Sequence, residues 1–241
     1  MKKLFAILIL SLSLTSGLKA QWLNYDFHMA FGYSHLTDDL ISKGGIMGFS
    51  AGAYATIGFT NSRSVLADIF TLQTGLNLTR KGGRLYDEQH TGAFTSIRNV
   101  CYSGWYAQIP VLANFRFELP FKAPDHYAKF FVGPAVSIGI FGHFNDRMVS
   151  PGRPQVSWNY DIHNDPAFNH MNRIDVELIA GIGYQWRNYV ANLYVDYGFL
   201  SIGSTPDVLR GLEENPSRLN NPDGNTVMFM LSLGYQLPKE K

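Results

Sequence analysis

The segment DIHNDPAFNH, residues 161–170, gathers Asp161, His163, Asp165 and His170. Carboxylates and imidazoles together can hold a divalent metal ion. Their spacing matches neither the HExxH pair of zinc hydrolases nor a calcium-binding loop. The segment therefore reads as a solvated loop, and no metal ligand is assigned. Ser150 with His143, His163 and His170 offers the parts of a nucleophile and its base. Their spacing matches no known nucleophile–base motif, so no catalytic residue is assigned either. A phosphate-cradling glycine loop, a dinucleotide fingerprint and a CxxC pair are all missing, so no cofactor is expected.

Two other charge groupings are more informative. Arg80, Lys81, Arg84 and Arg98 gather in one stretch and could pair with the phosphates of lipopolysaccharide, although Asp87 and Glu88 lie among them. Asp175, Glu177 and Asp196 lie in the stretch RIDVELIAGIGYQWRNYVANLYVDYGFLSIG, residues 173–203. Asp175 and Glu177 alternate with Ile174, Val176, Leu178, Ala180, Ile182, Tyr184 and Trp186, and Asp196 alternates in the second half with Tyr189, Ala191, Leu193, Val195, Tyr197 and Phe199. Period two is the signature of a β-strand. The reading is a hairpin turning at Arg187–Asn188, with carboxylates on one face and an apolar stripe on the other.

The same alternation recurs around residues 25–34, 47–59, 70–78, 105–117, 130–140 and 227–237, which gives eight strands with the hairpin. The links fall at about 35–45, 60–68, 80–101, 118–128, 142–172, 187–188 and 201–225. Links 80–101, 142–172 and 201–225 are long, and all leave from the same rim. This is the pattern of an up-and-down barrel whose rims face different compartments, with both termini on the short-turn side. The stripes carry Tyr25, Tyr33, Trp105, Tyr184, Trp186, Tyr189, Tyr197 and Tyr235 near their ends, as a lipid slab with two interfaces requires. The opposite face is poor in Lys and Glu, unlike the wet face of a soluble sandwich. The expected fold is all-β: an eight-stranded antiparallel up-and-down transmembrane β-barrel.

A barrel of eight strands has a lumen that side chains can fill. Charges inside it must be paired. The expected lumenal network joins Arg116 to two or more of Asp26, Asp175, Glu177 and Asp196, and it plugs the barrel.

The chain has 241 residues. Lys2 and Lys3, an apolar run from Leu4 to Leu14, and Gly17-Leu18-Lys19-Ala20 read as a signal peptide over 1–20, followed by one barrel domain over 21–241. Loss of that leader removes three lysines and no acid, so the formal charge moves from +1 to −2. That is no footprint for nucleic acid. The one cysteine, Cys101, forms no internal disulfide and reads as structural.

With these strands in place, the chain resembles a family. GFSAGAYATIGF (48–59), LQTGLNLTRKGG (72–83), WYAQIPVLANFRF (105–117), FFVGPAVSIGIFG (130–142) and YVDYGFLSIG (194–203) stand in an order similar to the PorT-like outer-membrane β-barrel family of Bacteroidetes. The markers are Y-x-Q-I-P-V-L at Tyr106–Leu112, V-G-P at Val132–Pro134 and G-Y at Gly234–Tyr235. The resemblance implies a small outer-membrane barrel and brings no catalytic residues. PorT itself is linked to type IX secretion, but NYDFHMAFGYS (24–34) does not resemble the start of that member. The expected role is therefore structural or surface-interacting, without catalysis. Its partners would be outer-membrane lipid, lipopolysaccharide and other envelope or secretion proteins. An accessory of protein export and a lipid-modifying enzyme are the alternatives.

Overall fold

The computed structural model describes residues 20–37, 42–59, 69–91, 94–120, 125–149, 156–161, 173–200 and 225–238. Its strands are β1 (Ala20–Thr37), β2 (Ser42–Gly44), β3 (Ile46–Phe59), β4 (Phe70–Thr91), β5 (Phe94–Glu118), β6 (His126–Val149), β7 (Val156–Asp161), β8 (Ile174–Trp186), β9 (Tyr189–Gly198) and β10 (Asn225–Gln236). Eight of them close a ring in the order β1-β3-β4-β5-β6-β8-β9-β10, every neighbour antiparallel. The first and last strands complete it, with Asp26 opposite Gln236 and Thr37 opposite Asn225. The short β2 and β7 lie outside the ring, on β4 and β6.

Period two appears in the burial as the alternation requires. On β8, Ile174, Leu178, Ile182, Tyr184 and Trp186 face out, while Asp175, Glu177, Ile179 and Gln185 are buried. The outer surface is covered with exposed aliphatic and aromatic side chains on every strand of the ring. Water would tolerate no apolar surface of that extent. A closed barrel leaves no strand edge unpaired, which is the condition for strands to cross lipid.

The structure departs from the expected links on one rim. The alternation predicts a long link over 80–101, with the turn formers Lys81-Gly82-Gly83 at its start. Instead, β4 and β5 continue through that stretch as a ladder that ends at Thr91 opposite Phe94. Gly82 allows this: a Cβ there would lie 2.2 Å from the Tyr102 carbonyl oxygen, and its φ is 154°. Ser34 pins the site, its hydroxyl accepting from Gly82 N at 2.9 Å and donating to Gly82 O at 2.8 Å. The 142–172 link is likewise strand up to Val149 and again in β7. The result is a wall of β4, β5 and β6 that runs further on this rim than the other described strands of the ring. The 201–225 link lies outside the described residues except for Asn225, and so does the 1–20 leader except for Ala20.

The opposite rim has the short turns. Arg187 adopts φ 51° in the two-residue turn between β8 and β9, and its amide donates to Asp125 O at 3.0 Å.

Candidate functional site

Lumen-facing positions of β4, β5, β8 and β9 converge on one buried cluster. Lys81 on β4 points inward and is 1% exposed. Its ammonium donates to Asp175 Oδ2 at 2.6 Å and to Glu177 Oε1. It also lies 4.4 Å from the centre of the Tyr106 ring. Gln108 on β5 donates to Glu177 Oε2 and to Asp196 Oδ2, the latter at 2.7 Å. Its own carbonyl accepts from Asn77 Nδ2 at 3.0 Å. Asp175 also accepts from Leu200 N at 3.1 Å and from Thr226 Oγ1 at 3.3 Å. The lysine and the amide thus tie both walls of the lumen together across its width. A buried charge held this way is expensive to unpair, because nothing replaces its lost hydration.

Below this cluster an apolar group of Tyr54, Leu112, Phe131, Ala135 and Ile179, with Tyr194 against it, packs in the lumen. The cavity bordered by His28, Tyr54, Gln108, Lys129, Phe131 and Tyr194 measures about 20 Å³, room for about one water. Toward the short-turn rim, Asp26 accepts from Gln73 Nε2 at 2.8 Å and feels the charge of Lys129. Gln185 donates to Gln236 Oε1 at 2.7 Å at that end.

The expected network is therefore corrected in its cation. Asp175, Glu177 and Asp196 meet, but around Lys81 and Gln108. Arg116 lies eight residues along β5 from Gln108, about 26 Å at the usual strand rise. Its guanidinium stacks instead over Tyr127, 4.4 Å from the ring centre. Asp26 belongs to the short-turn end, away from the three other acids. The signal for Lys81 was present in the sequence. Carrying the β4 alternation from Gln73 and Asn77 two steps further puts Thr79 and Lys81 inside.

The expected cationic group for lipopolysaccharide is corrected at the same residue, since Lys81 is consumed in the lumen. Arg80 faces outward, its Nε donating to Ser103 Oγ at 2.9 Å. Arg84 is exposed on the same face. Arg98 sits in β5 opposite Asp87, and its side chain lies outside the described residues. So does the 161–170 cluster except for the backbone of Asp161. Among the described residues, no group of three or more metal-ligating side chains comes together.

The aromatic residues fall into two bands on the outer face. Tyr25, Tyr184, Trp186, Tyr189 and Tyr235 stand at the short-turn rim, all exposed. Tyr189 and Tyr235 touch edge to face at 5.5 Å. Tyr33, Trp105 and Tyr197 stand toward the other end, where Trp105 contacts Phe49 at 6.0 Å and Phe141 at 5.9 Å. From Tyr25 to Tyr33 is eight residues of β1, about 27 Å along the strand and about 20 Å of height at a typical tilt. That height lies within the apolar band of about 25 Å that an outer-membrane barrel presents to lipid.

A closed antiparallel ring, apolar outside between two aromatic bands and filled inside, defines a small outer-membrane β-barrel. The chain belongs to the outer membrane protein beta-barrel domain family, whose model matches residues 19–203. No curated protein matches it. Among solved structures it is similar to Ail, the attachment invasion locus protein of Yersinia pestis, determined in complex with the heparin analogue sucrose octasulfate. There the identity is 13%, the coverage 89% of this chain and 99% of that one, and the TM-score 0.35. Neisserial surface protein A shares 12% identity over 88% of this chain and 96% of its own, with a TM-score of 0.35. The N-terminal β-barrel domain of Pseudomonas aeruginosa OprF shares 13% identity over 88% and 97%, with a TM-score of 0.26.

Proposed function

We propose that this protein is a closed, non-catalytic outer-membrane scaffold that works through surface interactions at the rim of long strands. The observation that carries the reading is the packed lumen. Among the described residues, the cavity between the Lys81 cluster and the apolar group beneath it measures about 20 Å³, too small for a substrate or a transported solute. What remains for function is the surface. Among the described residues, β4, β5 and β6 run furthest from the short turns. In this reading residues 1–20 are a cleaved leader, and both termini lie in the periplasm.

The finer family assignment, PorT-like and of Bacteroidetes, belongs with a second reading as an accessory of protein export. What favours it is the Y-x-Q-I-P-V-L motif. Tyr106 and Gln108 of that motif are buried members of the lumenal cluster, so the resemblance tracks the interior of the barrel rather than a partner surface. It therefore bears on architecture more than on task. Gene deletion separates the two readings. The scaffold reading expects an unchanged set of exported proteins at the cell surface and in the medium. Loss of a whole class of them, restored by complementation, would replace it with the export reading.

A further inference from the structure

One hydrogen-bond chain in the lumen ends on an atom that the barrel leaves unpaired. Gln108 gives its amide hydrogens to two carboxylates, Glu177 on β8 and Asp196 on β9. An ionised carboxylate only accepts, so the nitrogen of Gln108 faces that pair and its oxygen faces Asn77. Asn77 Nδ2 then spends its two hydrogens on Gln108 Oε1 and on the Tyr54 hydroxyl. The acids fix Gln108, and Gln108 fixes Asn77. The atom left over is Asn77 Oδ1, an acceptor with no hydrogen-bond partner among the described residues.

A row of inward positions on the facing wall meets the same place. The register sets Lys129 on β6, Gly183 on β8, Asn192 on β9 and Ser232 on β10 side by side. Gly183 leaves its place unfilled by any side chain of its own, and Asn192 reaches over it. A Cβ on Gly183 would lie 2.2 Å from Asn192 Oδ1. Asn192 Oδ1 and Ser232 Oγ also have no hydrogen-bond partner among the described residues. Asn77, Asn192 and Ser232 are 3%, 8% and 1% exposed, so bulk solvent does not serve them. All three, with Lys129 and Tyr54, border the cavity of about 20 Å³. A cavity of that size admits about one water, and buried polar atoms left dry are costly.

We propose that this cavity is a binding site for one ordered water molecule. The water donates to Asn77 Oδ1 and Asn192 Oδ1 and accepts from Ser232 Oγ, so each unpaired atom is used once. Its second lone pair is left for the Lys129 ammonium or the Tyr54 hydroxyl, both donors on the same wall. Three oxygens of this kind also suit a small alkali cation. The ammonium of Lys129 opposes a second positive charge beside it, which selects water. The water extends the polar tie from the Lys81 cluster, through Gln108 and Asn77, to β9 and β10. The site rests on the reading of a packed lumen.

A crystal structure of the full chain grown in rubidium chloride tests the occupant. One density peak is expected within hydrogen-bond distance of the three atoms, with no anomalous signal from rubidium. A cavity without a peak, or a peak that carries the rubidium signal, would overturn the site. Ser232→Ala tests the energetics in micelles, because it removes one oxygen with little change of shape. With a bound water the variant loses a hydrogen bond, and the urea midpoint is expected to fall. In a dry cavity the variant sheds an unpaired hydroxyl, and the midpoint would hold or rise. Either of those results overturns the site, provided that heat-shifted gel mobility shows the variant barrel closed. A dry cavity in the crystal removes the water and leaves the packed lumen standing. A file of waters running past the Lys81 cluster to both rims overturns the packed lumen, and the site with it.

Discussion

At the scale of single residues, Lys81 holds the interior together. It pairs with two carboxylates on β8 of the far wall, Asp175 and Glu177, and Gln108 joins Asp196 on β9 to them. Lys81→Met keeps most of the volume and removes the charge, leaving buried carboxylates facing one another. The expected loss is about 3–5 kcal/mol of unfolding stability, read from urea unfolding in micelles by tryptophan fluorescence. Adding Asp175→Asn and Glu177→Gln should restore much of it, because the orphaned charges go with the lysine. A single variant as stable as wild type would show that the cluster is not a structural tie. Arg116→Ala makes the contrast. Its partner is the face of Tyr127 near the rim, so the loss should stay near 1 kcal/mol or below. The three acids were legible from parity alone. Their cation takes one step more, the β4 alternation carried on into Lys81 although two glycines beside it read as a turn.

At the scale of elements, the length of β4 and β5 is decided by close packing at Gly82. Its φ of 154° and the Tyr102 oxygen 2.2 Å from any added Cβ leave room for glycine alone. Gly82→Ala should cost about 1–3 kcal/mol and loosen the ladder above it. Hydrogen exchange would show this as faster exchange between Gly83 and Thr91 with the lower barrel unchanged. Uniform protection in the variant would mean that the wall does not depend on this contact. A β-bulge in β6 opposite Trp105 and Tyr106 works by the opposite means, adding a residue instead of omitting a side chain. It turns His143 and Arg147 outward, where continued alternation from Ile138 would have placed them inside.

At the scale of the molecule, a filled lumen has an electrical consequence. Among the described residues, the Lys81 cluster and the apolar group below it fill the lumen down to a cavity with room for about one water. Reconstituted in a planar bilayer, the protein is expected to insert without stable ion conductance. Steady single-channel steps from the wild-type chain would contradict the packed interior and remove the basis of the scaffold reading. Lys81→Met offers a sharper version. If the cluster is the tightest seal, its removal should raise the frequency of brief openings even where the barrel stays closed on a gel.

The sequence by itself determined the eight crossing strands, their faces, the side of the short turns and the two aromatic bands. Each follows from period two and from residue type, which act locally and leave a local trace. Tertiary structure decided which charges meet, how far the strands run past the membrane, and which arginines share a face. Those depend on register between strands distant in the chain. Parity says that Asp175 and Arg116 both point inward but is silent on their heights, and a single bulge resets parity without marking the sequence. Lys81 shows the difference most plainly. Its type and neighbours suggested a surface cation in a loop, and closure of the ring brought β8 opposite it and made it the core of the lumen.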